Sequence, residues 1–335
     1  MMLRSPALPY RLPFCELHVH IEGTLEPHTV FALAQAKGIA LPYDSVHQLQ
    51  EAYRFTDLQS FLDVYYDNMK VLQTEDDFFE LGAAYLRRAH GGGVAHAEIF
   101  VDPQAHSRRG IDEATVLTGL NRAIAAVGAE TGISASLIVC IVRDEPVIEA
   151  ERMLDRVLTT GVPITGLGLD SAEQGHPPEL FAGVFDRARS AGMRLVAHAG
   201  EEGPPEYVWQ ALDVLGVERV DHGNRALEDR ALVARLAAER IPLTMCPLSN
   251  LRLRVIDRLS DFPLLPALDA GLLVTINSDD PAYFGGYLDD NIRALVKTFA
   301  LGSDELHALA TNSVAASFLR ESEKTRLGTG AGPSA

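Results

Sequence analysis

The sequence predicts a (β/α)₈ TIM barrel, an α/β fold in which eight parallel strands alternate with helices. Eight short apolar runs are bounded by turn residues, and segments with helical periodicity separate most of them. The runs are continuously apolar, as expected of parallel strands that are buried on both faces. The chain has 335 residues, which accommodates eight such units, since these barrels take about 250 residues or more.

The predicted strands extend over most of the chain, in order 14–20, 94–101, 134–142, 164–169, 194–197, 219–221, 242–246 and 272–276. Predicted helices lie between and after them, at 113–130, 145–158, 180–191, 207–215, 231–238, 288–299 and 304–320. The last two are extra C-terminal helices that close the fold. We therefore expect one barrel domain over residues 1–322 and a disordered tail over 323–335, which is rich in Gly, Ser and Thr.

The interval between the first two strands is too long for a single βα unit, because roughly seventy residues separate them. It contains candidate helices at 27–37, 57–71 and 75–90, with Thr56 and Thr74 as N-caps. We expect this helical insertion to lie over the C-terminal mouth of the barrel, where it would exclude water. The alternative is that it packs outside the barrel, since long insertions cost little free energy.

Composition excludes several classes of partner. The formal net charge is −17, from 46 acidic and 29 basic residues, which disfavours nucleic acid polymers and anionic membranes. No apolar run could span a bilayer, and the N-terminal segment lacks the apolar core of a signal peptide, so we expect a cytoplasmic protein.

Cys15, Cys140 and Cys246 lack metal or redox spacing and are expected to be reduced core residues. The sequence is compatible with either a monomer or a homo-oligomer.

Polar side chains with chemical capability follow the ends of the predicted strands. His18 and His20 alternate with apolar residues, so they project from one face of the first strand. The others end the fifth, sixth and eighth strands: His198, His222, Asp279 and Asp280. Each alone has an ordinary structural explanation, such as a histidine that hydrogen-bonds a neighbouring carbonyl. Together, at the strand ends that form the active site of such barrels, they predict a catalytic site.

Three neutral imidazoles and one carboxylate form a ligand set that suits zinc. Zinc lowers the pKa of a bound water from about 15.7 to near 7, which provides a nucleophile at neutral pH. Barrel hydrolases with two metals usually need a bridging carboxylate, often a carbamylated lysine that ends the fourth strand. The fourth strand here contains no lysine, so we expect one Zn²⁺ per subunit.

Four motifs, in this order over nearly the whole chain, carry a family resemblance: His18-x-His20, His198-Ala-Gly-Glu201, Asp221-His222-Gly223 and Ser278-Asp279-Asp280-Pro281. The set resembles the adenosine and adenine deaminases of the amidohydrolase superfamily. The resemblance implies that zinc is bound by His18, His20, His198 and Asp279. It also implies that Glu201 shuttles protons, that His222 orients the attacking water, and that Asp280 faces N7 of a purine.

These roles fit the chemistry of a 6-aminopurine, the small-molecule substrate that the resemblance implies. Water adds to C6, a carboxylic acid at Glu201 can protonate N1, and the amine leaves after it gains a proton. An ionised Asp280 would need a hydrogen-bond donor at N7. Either Asp280 is therefore protonated, or the N7–H tautomer of the base is bound.

Two positions depart from the adenosine branch of the family and favour the free base. Glu22 stands where that branch has aspartate, and its longer side chain would reach into the space of a ribose. Glu173 stands where that branch has glycine, close to Ser171, a further candidate substrate contact. A carboxylate at Glu173 would accept the N9–H or N3–H of adenine, which adenosine lacks. Segments 245–250 and 280–287 resemble the adenine deaminases as well. The implied reaction is conversion of adenine to hypoxanthine and ammonia in purine salvage.

Other functions remain open at this point. One is deamination of adenosine or of an N6-substituted adenine at the same metal site, and another is a binding or signalling barrel without catalysis. The presence of every presumed ligand and of Glu201 disfavours the latter. His96-Ala97-Glu98 matches half of the cytidine deaminase signature, but no Pro-Cys-x-x-Cys follows, so His96 is expected in the core. Glu98 and Asp102 have no assigned role.

Overall fold

The protein, described as a computed structural model over residues 12–329, is an eight-stranded parallel barrel. Its strands β1 to β8 are Phe14–His20, Val94–Val101, Ser134–Val142, Gly166–Asp170, Arg194–Ala199, Arg219–His222, Pro242–Met245 and Leu273–Ile276. Each strand pairs in parallel with the next. Two backbone hydrogen bonds close the circle after β8, from His20 N to Asp279 O (2.9 Å) and from Asp279 N to His18 O (3.1 Å). The predicted (β/α)₈ barrel is confirmed.

Helices occupy the intervals between the strands and the C-terminal end of the chain. In chain order, α1 to α16 are Pro27–Lys37, Val46–Ala52, Leu58–Asn68, Glu75–Gly91, Pro103–Ser107, Glu113–Thr131, Val147–Thr159, Ala182–Ser190, Pro205–Gln210, Arg230–Glu239, Pro247–Arg252, Leu264–Asp269, Pro281–Phe284, Leu288–Phe299, Ser303–Ala316 and Glu321–Gly328. No helix within the described range is long and apolar enough to cross a membrane. Cys15, Cys140 and Cys246 are buried free thiols, as predicted.

The insertion after β1 comprises α1 to α4, and its helices divide between the two predicted locations. α4 packs along α6 on the outside of the barrel, where it serves as the helix of the first βα unit. α3 lies over the mouth, where Leu58, Phe61, Leu62, Tyr65 and Tyr66 line a cavity. Four of these residues, at the i, i+3, i+4 and i+7 spacing of one helix face, are buried. The prediction of a cover over the mouth is confirmed for α3.

The two predicted N-caps have different outcomes. The Thr74 side chain accepts a hydrogen bond from the backbone N–H of Asp77, which confirms it as the N-cap of α4. Thr56 is not the cap of α3, because Asp57 holds that position and accepts from the N–H of Ser60. Aspartate and threonine are both strong N-caps, so adjacent copies leave the helix start ambiguous in sequence.

The predicted disordered tail is wrong for residues 323–328, which belong to α16. The Glu323 carboxylate accepts from the backbone N–H of Arg320 (3.1 Å), which caps the start of the helix. Lys324 donates to the carbonyl of Ala315 (3.0 Å), and Leu327 packs against the cluster that contains Cys15. The part of the predicted tail at 330–335 lies outside the described residues.

A buried ion pair connects β2 to β6 and indicates a structural role for Glu98. Arg219 and Glu98 are both fully buried and form a direct salt bridge. Arg219 also donates to the carbonyl of Leu17 (3.1 Å), and its guanidinium lies 4.6 Å from the ring centroid of Phe318. Burial alone would raise the pKa of Glu98, but Arg219 and His96 together outweigh burial and lower it to about 2. His96, on the same strand, is buried as predicted.

Replacement of Glu98 by glutamine should lower the free energy of unfolding by about 3–5 kcal/mol, because the buried Arg219 then loses the carboxylate that contacts it and retains only Asp221, at 3.7 Å. Chemical denaturation monitored by circular dichroism measures the change. Glu130→Gln is the matched control, since the ion pair of Glu130 with Arg87 is half exposed. The control should leave the unfolding midpoint nearly unchanged. Equal effects of the two substitutions would contradict a structural role for the buried pair.

Candidate active site

The predicted metal ligands and the predicted catalytic residue His222 converge at the C-terminal end of the barrel. His18, His198, His222 and Asp279 are buried and place ligand atoms within 4.8 Å of one another. His20 joins them, with Nε2 at 3.1 Å from Nε2 of His198 and at 3.5 Å from Oδ1 of Asp279. The histidines come from β1, β5 and β6, and the aspartate follows β8. Distant parts of the sequence thus meet in one cluster of donor atoms.

A hydrogen-bond relay fixes which nitrogen of His18 faces the cluster. His18 Nδ1 lies 2.9 Å from Oγ1 of Thr244, whose hydroxyl donates to Asp221 at 2.8 Å. Thr244 has a single hydroxyl hydrogen and must therefore accept from His18, which places the ring proton on Nδ1. Nε2 of His18 then presents a lone pair to the cluster, where it is buried without a hydrogen-bond partner. A metal ion would satisfy that nitrogen.

Charge and burial also suit the cluster to a divalent cation. Burial lowers the pKa of His20 and of His222 to about 3, so both imidazoles are neutral at pH 7, as metal ligands must be. Burial alone would raise the pKa of Asp279, but His18 and the other histidines hold it well below its usual value. Behind the rings, His20 Nδ1 faces Asp170 (3.5 Å) and His198 Nδ1 faces Asp221 (3.7 Å). Carboxylates in this position orient metal-binding imidazoles.

The backbone is strained where the site residues leave their strands. His222 and Asp279 adopt left-handed conformations, with φ of +60° and +64°, and so does Ser171, with φ of +71°. Such conformations cost on the order of 1–3 kcal/mol for each non-glycine residue. The surrounding barrel holds these residues in conformations that point their side chains at the cavity.

A cavity opens onto the donor cluster. One wall is apolar and consists of α3 together with Leu253 and Phe284. The rest of the lining is largely polar, and its carboxyl groups are those of Asp102, Asp170, Glu201, Asp279 and Asp280. An apolar slot with a few convergent polar groups is typical of sites for small molecules.

Glu201 is placed to carry a proton next to the donor cluster. Its Oε2 lies 3.6 Å from Nε2 of His222, and its Oε1 is buried without a hydrogen-bond partner. Burial, with the nearby charge of Asp279, raises the pKa of Glu201 well above its ordinary value. A carboxylic acid that stays protonated at neutral pH can act as a general acid.

Asp280 is wedged against a glycine and faces the cavity. A Cβ on Gly23 would overlap the Asp280 carboxyl, so only glycine leaves room for this side chain. Oδ1 of Asp280 is buried without a partner, and burial together with Asp279 raises the pKa of Asp280 well above its usual value. Of the two states left open by the sequence, protonated Asp280 is the one that this environment favours.

Ser171 lines the cavity, and its side chain contacts the inserted helix α3. Its Oγ is 3.0 Å from the hydroxyl oxygen of Tyr66, and the guanidinium of Arg108 stacks 4.5 Å from the Tyr66 ring centroid. These contacts join α3 to the loops after β2 and β4.

Glu22 and Glu173 are not in the positions that the sequence predicted, and both predictions of a substrate contact need correction. Glu22 is fully buried behind Asp102, where its Oε1 accepts from the Asp102 N–H (3.1 Å) and lies 2.8 Å from His106 Nε2. Glu173 is absent from the cavity lining, and its carboxylate accepts backbone N–H groups of the turn after β5. The longer side chains turn into the protein instead of toward a ligand.

Asp102 and Asp170 are site residues to which the sequence analysis gave no role. With His20 they form a buried group whose ligand atoms lie within 4.8 Å of one another. Burial and the neighbouring Glu22 raise the pKa of Asp102 to about 7, and burial and Asp102 raise that of Asp170 well above its usual value. The pair therefore retains a proton at neutral pH. Their place at the ends of β2 and β4 is the signal that could have identified them.

Comparison with known proteins agrees with this geometry. A family model described as adenosine deaminase matches residues 13–330. The chain belongs to the adenosine deaminase family. A curated relative, the adenine deaminase of Streptomyces coelicolor, is 58% identical over 315 residues, which cover 94% of this chain and 93% of the relative.

Two solved structures of related proteins extend the comparison to the fold. The crystal structure of adenine deaminase from Arthrobacter aurescens has a TM-score of 0.94 and 53% identity, over 95% of this chain and 97% of that chain. A zinc-bound amidohydrolase from Burkholderia ambifaria has a TM-score of 0.86 and 28% identity, over 94% and 88% of the two chains. As a member of this family, the protein is a metal-dependent hydrolase.

Thr244→Val should weaken metal binding about 10- to 100-fold, because His18 loses the acceptor that holds its Nε2 toward the cluster. Competition with a chromophoric chelator measures the affinity directly. Thr275→Val is the matched control, since Thr275 is equally buried on β8 and its hydroxyl contacts the Leu243 carbonyl and Asn277. A variant Thr244→Val with unchanged affinity would show that the relay does not orient His18.

Proposed function

We propose that this protein hydrolyses adenine to hypoxanthine and ammonia, with Zn²⁺ held by His18, His20, His198 and Asp279. The observation that carries the proposal is that these four donors lie within hydrogen-bond or ion-pair distance of one another, beside Glu201, at a cavity with an apolar side. The adenine deaminases among its relatives and the zinc-bound amidohydrolase support the substrate and the metal. Three buried thiols without a disulfide suit a reducing compartment, so we further propose a cytoplasmic enzyme of purine salvage.

The metal ion, when bound, supplies the nucleophile, because it lowers the pKa of a water molecule to near 7. His222 is neutral at pH 7 and lies beside Glu201, so it can accept a hydrogen bond from the attacking water and orient it toward C6. Glu201 carries the proton that N1 of the purine gains as C6 becomes tetrahedral. Of the two protons of the water, one passes through the Glu201 carboxylate to the amino group, which departs as ammonia, and the other returns to Glu201 as C6 becomes a carbonyl.

Asp280 fixes the orientation of the base. A protonated carboxyl group donates a hydrogen bond, and N7 of adenine in its common tautomer is an acceptor. The raised pKa of Asp280 therefore suits it to contact N7 directly. This contact would place C6 toward the donor cluster, since N7 and the exocyclic amine share one edge of the purine.

Asp102 is our candidate for the residue that distinguishes adenine from adenosine. Its Oδ1 is buried without a partner, and the residue lines the cavity while Glu22 supports its backbone. This oxygen can accept the N9–H or N3–H proton of free adenine. Adenosine has ribose in place of that proton, so it would leave the carboxylate unpaired and would crowd Tyr66 and Ser171 at the rim.

Release of ammonia from adenine and from adenosine, measured in parallel on the zinc-loaded protein, tests the proposed function. We expect kcat/KM for adenine to exceed that for adenosine by about 10⁴ or more, because an acceptor built for one substrate proton rejects an analogue without it. If adenine and adenosine are turned over at comparable rates, the metal-dependent chemistry is supported, but the proposed preference for the free base is excluded. Absence of turnover with both would reject the proposed function.

Asp102→Asn should lower kcat/KM for adenine about 100-fold while adenosine turnover stays low, because the amide can present its NH₂ to the purine N–H. The adenine-to-adenosine ratio of kcat/KM is the quantity to measure. Asp77→Asn is the matched control, since Asp77 is a buried carboxylate on the outer helix α4 that forms an ion pair with Lys37 of α1. An unchanged ratio in Asp102→Asn would remove Asp102 from substrate recognition.

A further inference from the structure

The carboxylate of Glu173 binds four consecutive backbone N–H groups. Its Oε1 accepts from Gly200 (2.7 Å), and its Oε2 accepts from Glu201 (3.1 Å), Glu202 (2.9 Å) and Gly203 (2.7 Å). The side chain is 1% exposed, so these bonds form where water does not compete. Hydrogen bonds from N–H groups to an ionised carboxylate are shorter and stronger than those between neutral groups. We call residues 200–203 the acid turn, since it carries Glu201.

The acid turn has the sequence that this arrangement requires. Gly200 has φ of +72°, a conformation that aligns successive N–H groups on one side of a turn. A Cβ on Gly203 would overlap Oε1 of Glu173, so glycine allows the carboxylate to approach the backbone. The two glycines at the ends of the turn thus create a binding site for an anion, and Glu173 occupies it.

Arg143 binds two backbone carbonyl groups next to the acid turn and in the loop after β4. Its Nη1 donates to the carbonyl of His198 (2.8 Å), and its Nε donates to the carbonyl of His176 (2.9 Å). His176 lies in the same loop as Glu173, and its N–H donates to the Glu173 carbonyl (3.1 Å). The loop after β4 is therefore tied to the end of β5 by a cation on the carbonyls and an anion on the N–H groups.

We propose that Glu173 is a positioning residue for the reaction and acts through Glu201. This inference rests on the proposed function, in which Glu201 transfers the proton. Glu201 and the ligand His198 are three residues apart on one short segment, and the four bonds to Glu173 fix its path. Loss of the bonds would leave the acid turn free to shift the Glu201 carboxyl group relative to the substrate. Displacements on the order of 1 Å at a reacting group can lower the rate about 100-fold.

A general contribution of Glu173 to folding makes different predictions from a positioning role. If Glu173 only stabilised the fold, its loss would reduce the folded, metal-loaded fraction and leave kcat per metal-loaded site unchanged. If it positions Glu201, kcat per metal-loaded site falls, and the effect depends on the presence of the Glu201 acid. A double-mutant cycle between the two residues separates these cases.

The experiment compares wild type, Glu173→Gln, Glu201→Gln and the double variant, with kcat, KM, zinc content and melting temperature measured for each. Glutamine keeps the shape of Glu173, but its NH₂ group must face N–H donors of the acid turn. We expect Glu173→Gln to keep one Zn²⁺ per chain and to lose kcat about 100-fold with KM within about threefold. In the Glu201→Gln background, the same substitution should lower kcat by less than about threefold, because the acid through which it acts is already absent.

Additive losses in the cycle, or loss of zinc in step with activity, would overturn the proposal. Glu113→Gln is the matched control, since Glu113 is a buried carboxylate paired with Arg156 away from the cavity, and its loss should leave kcat per zinc unchanged. If Glu173→Gln does not fold, Glu173→Asp carries the same cycle, because aspartate keeps both oxygens but is one methylene shorter. If wild type deaminates adenosine instead of adenine, the proposed substrate fails, and the cycle tests the acid turn on adenosine.

Discussion

The backbone that closes the barrel also assembles the donor cluster. The seam between β1 and the segment after β8 consists of hydrogen bonds between His18, His20 and Asp279, which are themselves three of the four proposed metal ligands. A side chain at either edge of the seam can meet the cluster only if the eight strands complete the circle. The left-handed backbone of Asp279 lies at this junction, so local strain is tolerated where closure of the whole sheet imposes it.

The site and the barrel around it concentrate buried acidic side chains, and the protein accommodates each group differently. Glu98 is neutralised by Arg219, and Asp279 is held ionised by the imidazoles around it. Glu173 is stabilised by backbone N–H groups, whereas Asp280 avoids its charge, since burial raises its pKa. An unpaired buried carboxylate would cost several kcal/mol. The four arrangements separate acids that build the structure from acids that remain available to a ligand.

The sequence predicted the barrel and most of the site for one geometric reason. The carboxyl ends of parallel strands meet at one edge, so polar residues that follow apolar runs must become neighbours, as His198 and Asp279 do. The same rule applies to Asp102, which was named but not assigned because a single aspartate after a strand has no distinctive pattern. Glu22 and Glu173 were misplaced because sequence position constrains where a side chain starts and not where its carboxylate turns. Their partners are largely backbone N–H groups, which have no sequence signature.

The roof over the cavity has a kinetic consequence. α3 is fastened to the rim near the cavity by the hydrogen bond between Tyr66 and Ser171 and by the stacking of Arg108 on the same ring. Such contacts are individually weak, about 1 kcal/mol each, but the apolar face of α3 is buried as well, where the Phe61 ring lies 4.7 Å from that of Phe284. Any movement of α3 that widens the cavity mouth must break these contacts, and its rate would then limit the exchange of product for substrate.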